Sequence, residues 1–330
     1  MLTQVNNVEP ASHTRTELWF DERRRPALAA VLSLLDARGY TFTSATPATH
    51  ARVVGRPHRQ TADSVRDVLG WSLPFERDLI DDALYAALDA AGALDEQADG
   101  RLKATLRASR VSGRLFLHSA YPTTAQDAVF LGPDSHRFAL WIAARLRGDA
   151  RTILDYGAGA GVGGITAAQL TRDPLLTLAD INPKALFLAG INAAHAGLRH
   201  ELIAARELGQ VGSAFDLIVT HPPFMIDAGH RTYRDGGGLY GVQLSLDWAL
   251  QAITMLNPGG RLILHTGVSI VDGRDVLLTG LRDRLPAIGF DLEYVELDPD
   301  IFSEDLDQPG YENVDRIAAV GLVIRRTDGV

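Results

Sequence analysis

The chain has 330 residues, 46% of them hydrophobic and 22% charged, which suffices for one large domain or two modest ones around a real core. A net charge of −9 offers no general attraction to nucleic acid or anionic lipid, and the excess lies late: residues 1–150 carry 18 basic and 18 acidic side chains, residues 151–330 carry 14 and 23. The absence of cysteine excludes disulfides, thiolate metal sites and thiol catalysis; no metal ligand set is read elsewhere, and no apolar run is long enough to span a bilayer.

Residues 1–14 are polar and read as a frayed terminus rather than a signal peptide, so the cytoplasm is the expected setting by default. Residues 16–38 read as an amphipathic helix, with Leu18, Leu28, Val31, Leu32 and Leu35 on one side and Pro26 at a first turn or a kink. Two more helices are expected over 61–69 and 75–91, the second with Leu79, Leu84 and Leu88 on its apolar side. Residues 101–118 suggest a two-stranded ribbon turning near Ser112-Gly113. Helices followed by a ribbon outline a small α+β, winged-helix-like substrate domain over residues 1–120. Arg101, Lys103, Arg107, Arg110 and Arg114 lie on the ribbon and fit a contact for RNA or another anionic partner. The plainer reading, a solvated ribbon rich in Arg because the chain holds only two lysines, is preferred.

Residues 129–135 lead into a helix over 136–146, for which Asp134 or Ser135 is a suitable N-cap. From Thr152 onward strands and helices alternate. Strands are expected at 152–154, 175–179, 202–205, 215–220 and 261–265, with helices over 165–170, 183–196, 242–256 and 274–285. Segments 290–297 and 317–325 close the sheet without a helix between them. This alternation predicts an α/β, Rossmann-like domain over 121–330, its sheet mainly parallel with an antiparallel edge.

The first of these strands ends in Asp155 and runs into a turn holding Gly157, Gly159, Gly161, Gly163 and Gly164. Such a turn admits a ligand without a Cβ in its way and presents it to a helix start. Two registers fit. Gly159-x-Gly161-x-x-Gly164 has dinucleotide spacing, and Asp155-x-Gly157-x-Gly159-x-Gly161 is the alternative register. Asp180 ends the second strand, 19 residues after Gly161, where a carboxylate accepts both hydroxyls of a ribose in either case. The fourth strand delivers His221-Pro222-Pro223-Phe224 to the same edge of the sheet. The prolines stiffen the corner and lack N–H donors, so carbonyls face an incoming amine, and Phe224 offers a flat face for stacking.

The second register resembles motif I of the class I S-adenosylmethionine-dependent methyltransferases. His221 to Phe224 resembles motif IV, the Asn-Pro-Pro-Tyr/Phe signature of enzymes that methylate planar nitrogens. Over residues 128–326 the chain is similar to the PrmC/HemK-type and "methyltransferase small domain" group. The resemblance implies S-adenosylmethionine as the cofactor and a nitrogen on RNA, protein or a small molecule as the methyl acceptor. It assigns Gly157, Gly159 and Gly161 to the methionine half, Asp155 to the methionine ammonium, Asp180 to the ribose and Glu207 to the surroundings of the adenine. Asp134 and Ser135 are expected beside the bound cofactor. Residues 222–224 shape the acceptor site, and His221 stands where the family has Asn, as a base or as one orienting hydrogen bond. In the glycine-rich loop that follows, Arg231, Tyr233, Arg234 and Tyr240 are candidates for a substrate phosphate or carboxylate. Three other readings are kept: S-adenosylmethionine chemistry without methyl transfer, an NAD(P) oxidoreductase, and a silent binding protein on the same fold. The oligomeric state is not legible.

Overall fold

The computed structural model describes residues 21–327 apart from 213, 228 and 232. Helix α1 (Arg25–Ala37) begins with Pro26 in its first turn, and Leu28, Val31, Leu32 and Leu35 form its buried stripe. The expected start of this helix before residue 21, Leu18 included, lies outside the described residues, as does the frayed terminus. Helix α2 (Pro47–Val54) was not anticipated, although Thr46 caps it and Pro47 opens it. Helices α3 (Val65–Leu69) and α4 (Asp82–Ala90) are shorter than expected because Ser64 and Asp81 cap their first turns, each accepting from backbone N–H groups inside the helix.

Two antiparallel ribbons follow. Strands β1 (Leu94–Glu96) and β2 (Leu102–Ala104) form the first. Strands β3 (Leu106–Val111) and β4 (Arg114–Ser119) form the second, turning at Ser112-Gly113 with both residues at positive φ, as a two-residue hairpin requires. This second ribbon is buried rather than solvated, and it presents no open basic stripe. Arg107 is buried; Arg110 bonds Asp36 and the carbonyls of Tyr40 and Gly113; Arg101 bonds Asp99 and Thr61; Arg114 bonds Gln169.

Helix α5 (Pro133–Arg145) leads to the main sheet: β5 (Thr152–Tyr156), α6 (Val162–Gln169), β6 (Leu175–Asp180), α7 (Pro183–His195), β7 (His200–Ala204), β8 (Phe215–Thr220), α8 (Gln243–Ala252), β9 (Leu256–Val271), β10 (Arg274–Asp275), α9 (Val276–Arg284), β11 (Phe290–Asp298) and β12 (Arg316–Arg326). The strand order is β11-β12-β9-β8-β5-β6-β7, with the short β10 folded back on β9. Strands β7, β6, β5, β8 and β9 are parallel. Strand β12 runs against both of its neighbours, and it sits one place in from the edge, inserted between β9 and β11. Strand β9 outruns the expected five residues because β12 pairs with its outer half, from Arg261 to Ile270. The chain leaves β5 towards β6 and returns on the other side at β8, so the carboxyl ends of β5 and β8 flank the switch point where such sheets bind ligands.

One buried cluster joins Leu28, Leu84 and Phe116 of the N-terminal region to Ile142, Ile153 and Leu188 around the sheet. Asn192 on α7, fully buried, stitches three segments together. Its Oδ1 accepts from the Leu117 N–H at 2.9 Å, and its Nδ2 donates to the carbonyls of Leu117 at 3.1 Å and Ala160 at 2.9 Å. The hairpin and the glycine turn are thereby held to the same helix.

Candidate active site

A cavity of about 580 Å³ opens at the carboxyl ends of β5, β6 and β8. It is walled by the turn after β5, the corner after β8, the start of α5 and the segment around Tyr121. The glycine turn shapes its floor. The Gly157 N–H donates to the Ala179 carbonyl, and an added Cβ there would lie 2.7 Å from the Trp248 ring. Gly159, at φ +55°, lines the cavity, and a Cβ on it would meet nothing within 4 Å, so only the absence of a side chain keeps that volume free.

Two carboxylates belong to this turn. Asp180 accepts from the N–H groups of Gly159 and Asn182, both at 2.8 Å, which fixes its oxygens at the rim of the turn. Asp155 is buried and accepts from the Gly164 N–H at 2.7 Å. Burial, opposed by that hydrogen bond and reinforced by the Asp180 charge, pushes the Asp155 carboxyl up to about 8. Burial raises Asp180 as well.

Across the cavity, His221 places Nδ1 2.8 Å from the His265 carbonyl. A carbonyl only accepts, so Nδ1 carries the proton and Nε2 holds the lone pair. Burial lowers the His221 pKa, with the Asp134 charge and the hydrogen bond acting against it. Asp134 is raised by burial and held by Arg137, whose other nitrogen bonds Asp298 at 2.7 Å. Phe224 packs against Phe302 with centroids 6.0 Å apart, and Phe130 stacks on Tyr233 at 6.0 Å. The outer half of the cavity is therefore aromatic.

Most expected residues meet here: Asp134, Ser135, Asp155, Gly157, Gly159, Asp180, Tyr233, Arg234 and the corner from His221 to Phe224 all line the one cavity. Five expectations need correction. Neither Asp134 nor Ser135 is the N-cap of α5; Gly132 is, because Pro133 already occupies the first turn. Gly161 lies below the cavity lining, as the left-handed cap of α6 packed on Ile165 and Ala189. Glu207 caps a 3₁₀ turn at Leu208–Gln210, and Ala205 and Arg206 reach the cavity instead. Tyr240 is absent from the lining, its carbonyl held by Ser269. Arg231 and Arg234 do line the cavity, yet Asp227 and Asp305 already neutralise them, so neither is a free phosphate clamp.

Several lining residues carried no signal in the sequence. Trp248 meets the Tyr156 ring edge-on at 4.5 Å and covers Gly157, while Tyr121, Phe130, Phe138 and Phe302 complete the aromatic wall. These aromatics come from five separate segments, and no local spacing relates them.

Strand order, antiparallel insertion and switch-point cavity define an α/β domain of the class I methyltransferase type. Residues 139–265 match the family described as "Methyltransferase small domain". Among curated proteins, the chain is 32% identical over 133 residues to a release factor glutamine methyltransferase of Koribacter versatilis, covering 36% of this chain and 48% of that one. It is also 32% identical over 114 residues to a ribosomal RNA small subunit methyltransferase C of Shigella flexneri, covering 33% and 29%. The chain thus spans about half, or less, of the length of these relatives. A methyltransferase from Pyrococcus furiosus superimposes with a TM-score of 0.42 at 18% identity, covering 59% of this chain and 83% of that one. Among the described residues, no helix is long and apolar enough to cross a membrane.

Proposed function

We propose that the chain is an S-adenosylmethionine-dependent methyltransferase that acts on a planar nitrogen. The observation that carries this is the single cavity in which the Asp155–Gly159 turn and Asp180 face the His221–Phe224 corner. The residues suit the cofactor. Gly159 leaves a cradle that any side chain would fill, Asp180 offers a fixed carboxylate for a diol, and Asp155 offers a buried carboxylate for an ammonium. When bound, S-adenosylmethionine supplies a methyl group already activated on a sulfonium.

The protein's task is then alignment and exclusion of water. The Pro222-Pro223 corner and Phe224 position the acceptor. His221, neutral with its lone pair on Nε2, accepts a hydrogen bond from the acceptor N–H and aims the nitrogen. The same lone pair can receive the proton that leaves after transfer. The arginines at the outer wall are neutralised by their own aspartates, which favours an acceptor whose methylated group is uncharged.

The relatives named above act on a release factor glutamine and on ribosomal RNA, and the carboxamide of a glutamine is a planar nitrogen of the kind this corner fits. A division near residue 120, with the N-terminal part selecting the acceptor, and a cytoplasmic setting belong to the same proposal. Calorimetry with S-adenosylhomocysteine is expected to give a one-to-one complex, and NAD(P)H none. Labelled-methyl transfer into an extract split into protein, RNA and metabolite fractions then identifies the acceptor. Binding of NAD(P)H without S-adenosylhomocysteine would overturn the reading.

A further inference from the structure

A second polar cluster lies behind the cavity wall and has no role in the chemistry above. Arg107 on β3 is only 2% exposed. Its Nε donates to the Ser119 carbonyl at 2.9 Å, and among the described residues its two terminal nitrogens meet neither an acceptor nor a carboxylate. His118, its cross-strand partner, keeps a buried Nδ1 with no hydrogen bond. Nδ1 of His50, Oγ1 of Thr105 and Nε2 of His136 are likewise buried without a partner. These groups sense one another: the Arg107, His136 and His50 charges all act on His118, and those of Arg107 and Lys103 act on His50. The titratable neighbours of Arg107 are His50, His118 and the phenols of Tyr40 and Tyr121.

A guanidinium has five N–H donors, and a buried one is ordinarily paired with an acid. Burial lowers Arg107 only to about 10, so it stays charged at neutral pH with one carbonyl as its partner. Positive charge, vacant donors and no carboxylate are the makings of an oxyanion site. The cluster adjoins the cavity through one side chain. His50 stacks on Tyr121 with centroids 4.0 Å apart, and Tyr121 lines the cavity together with Pro47, which opens the helix carrying His50.

We propose that Arg107, with Thr105, His50 and His118 around it, is an oxyanion subsite behind Tyr121 that takes a carboxylate or phosphate group. The group arrives either as a free ion or as part of a molecule seated in the cavity. Only the second source rests on the methyltransferase reading.

The test is thermal unfolding of the full chain at constant ionic strength, with sodium chloride, acetate, inorganic phosphate, benzoate or phenyl phosphate. An oxyanion in hundredfold excess over its dissociation constant is expected to raise Tm by several degrees (about 4 °C) where chloride does not. If benzoate or phenyl phosphate binds at least tenfold tighter than acetate or phosphate, the anion belongs to a cavity ligand; equal affinities assign a free ion. Arg107→Met is expected to raise Tm in chloride, because an unpaired buried charge is removed, and to abolish the oxyanion response. Thr105→Val, a milder change, is expected to weaken that response. No oxyanion response in the unmodified chain overturns the proposal, as does an undiminished response in Arg107→Met. A Tm lowered equally in every buffer by Arg107→Met would reduce Arg107 to a support for the hairpin and also overturn it. Calorimetry with S-adenosylhomocysteine on the unmodified chain reads the methyltransferase proposal separately.

Discussion

Binding of S-adenosylhomocysteine is expected to release a proton, and Asp155→Asn is the substitution that tests it. Burial holds the Asp155 carboxyl at about 8. At pH 7 it therefore carries its proton in about nine molecules of ten. An ammonium beside it favours the charged form, so the ligand must displace that proton. Affinity then weakens about tenfold, or ~1.4 kcal/mol, for each pH unit below 8 until the carboxyl returns to its ordinary range. Calorimetry at pH 7 in two buffers of different ionisation enthalpy is expected to show about 0.9 proton released per ligand. Asn keeps an oxygen for the Gly164 N–H and has no proton to lose, so the variant is expected to bind more weakly with no comparable release. The unliganded protein should respond in the opposite sense. Between the ordinary carboxyl value of 3.8 and about 8 the folded state holds a proton that the unfolded state has lost, so stability falls as pH rises through that window, and Asp155→Asn removes this decline. Equal proton release from both proteins, or none from either, would refute the assignment of Asp155 to an ammonium.

Gly159→Val places a branched side chain in the cradle at a positive φ; folding should weaken by about 1–3 kcal/mol while S-adenosylhomocysteine affinity drops beyond measurement, and undiminished affinity would show that the ligand lies elsewhere. His221→Ala should lower methyl transfer by about a hundredfold and change S-adenosylhomocysteine affinity less than twofold, whereas equal loss of both would make His221 a cofactor contact. Asn192→Leu leaves the Leu117 N–H and the Leu117 and Ala160 carbonyls unmet, at about 1–3 kcal/mol each, so urea unfolding should register a loss of about 3–9 kcal/mol. A loss below about 1 kcal/mol would mean that the hairpin is held by apolar packing alone.

The sheet was legible because each of its determinants is local. Apolar runs ending in Asp155, Asp180 and Thr220 mark strand ends, and glycine or proline after each run marks where the chain must turn. Parallel strands joined by helices then bring those three ends to one edge, so the chain order by itself puts Asp155, Gly159, Asp180 and His221 at one site. Boundaries were less legible: a cap such as Ser64 or Asp81 decides a helix start through a hydrogen bond that competes with the apolar stripe.

What the chain order alone determined is therefore the sheet and the glycine, aspartate and double-proline turns on its rim. What only the tertiary structure decided is everything set by groups far apart in sequence. Asp227 and Asp305 neutralise the arginines that looked free, and Asp36 takes up Arg110. Asn192 ties a hairpin to a helix 75 residues away, and Trp248 closes over Gly157 from another element. Arg107 read as one basic residue on an exposed ribbon, and it lies buried with one carbonyl as its hydrogen-bond partner among the described residues. The physical reason is the same throughout: a turn is dictated by its own residues, whereas the charge a side chain presents depends on which partners packing brings within hydrogen-bond reach.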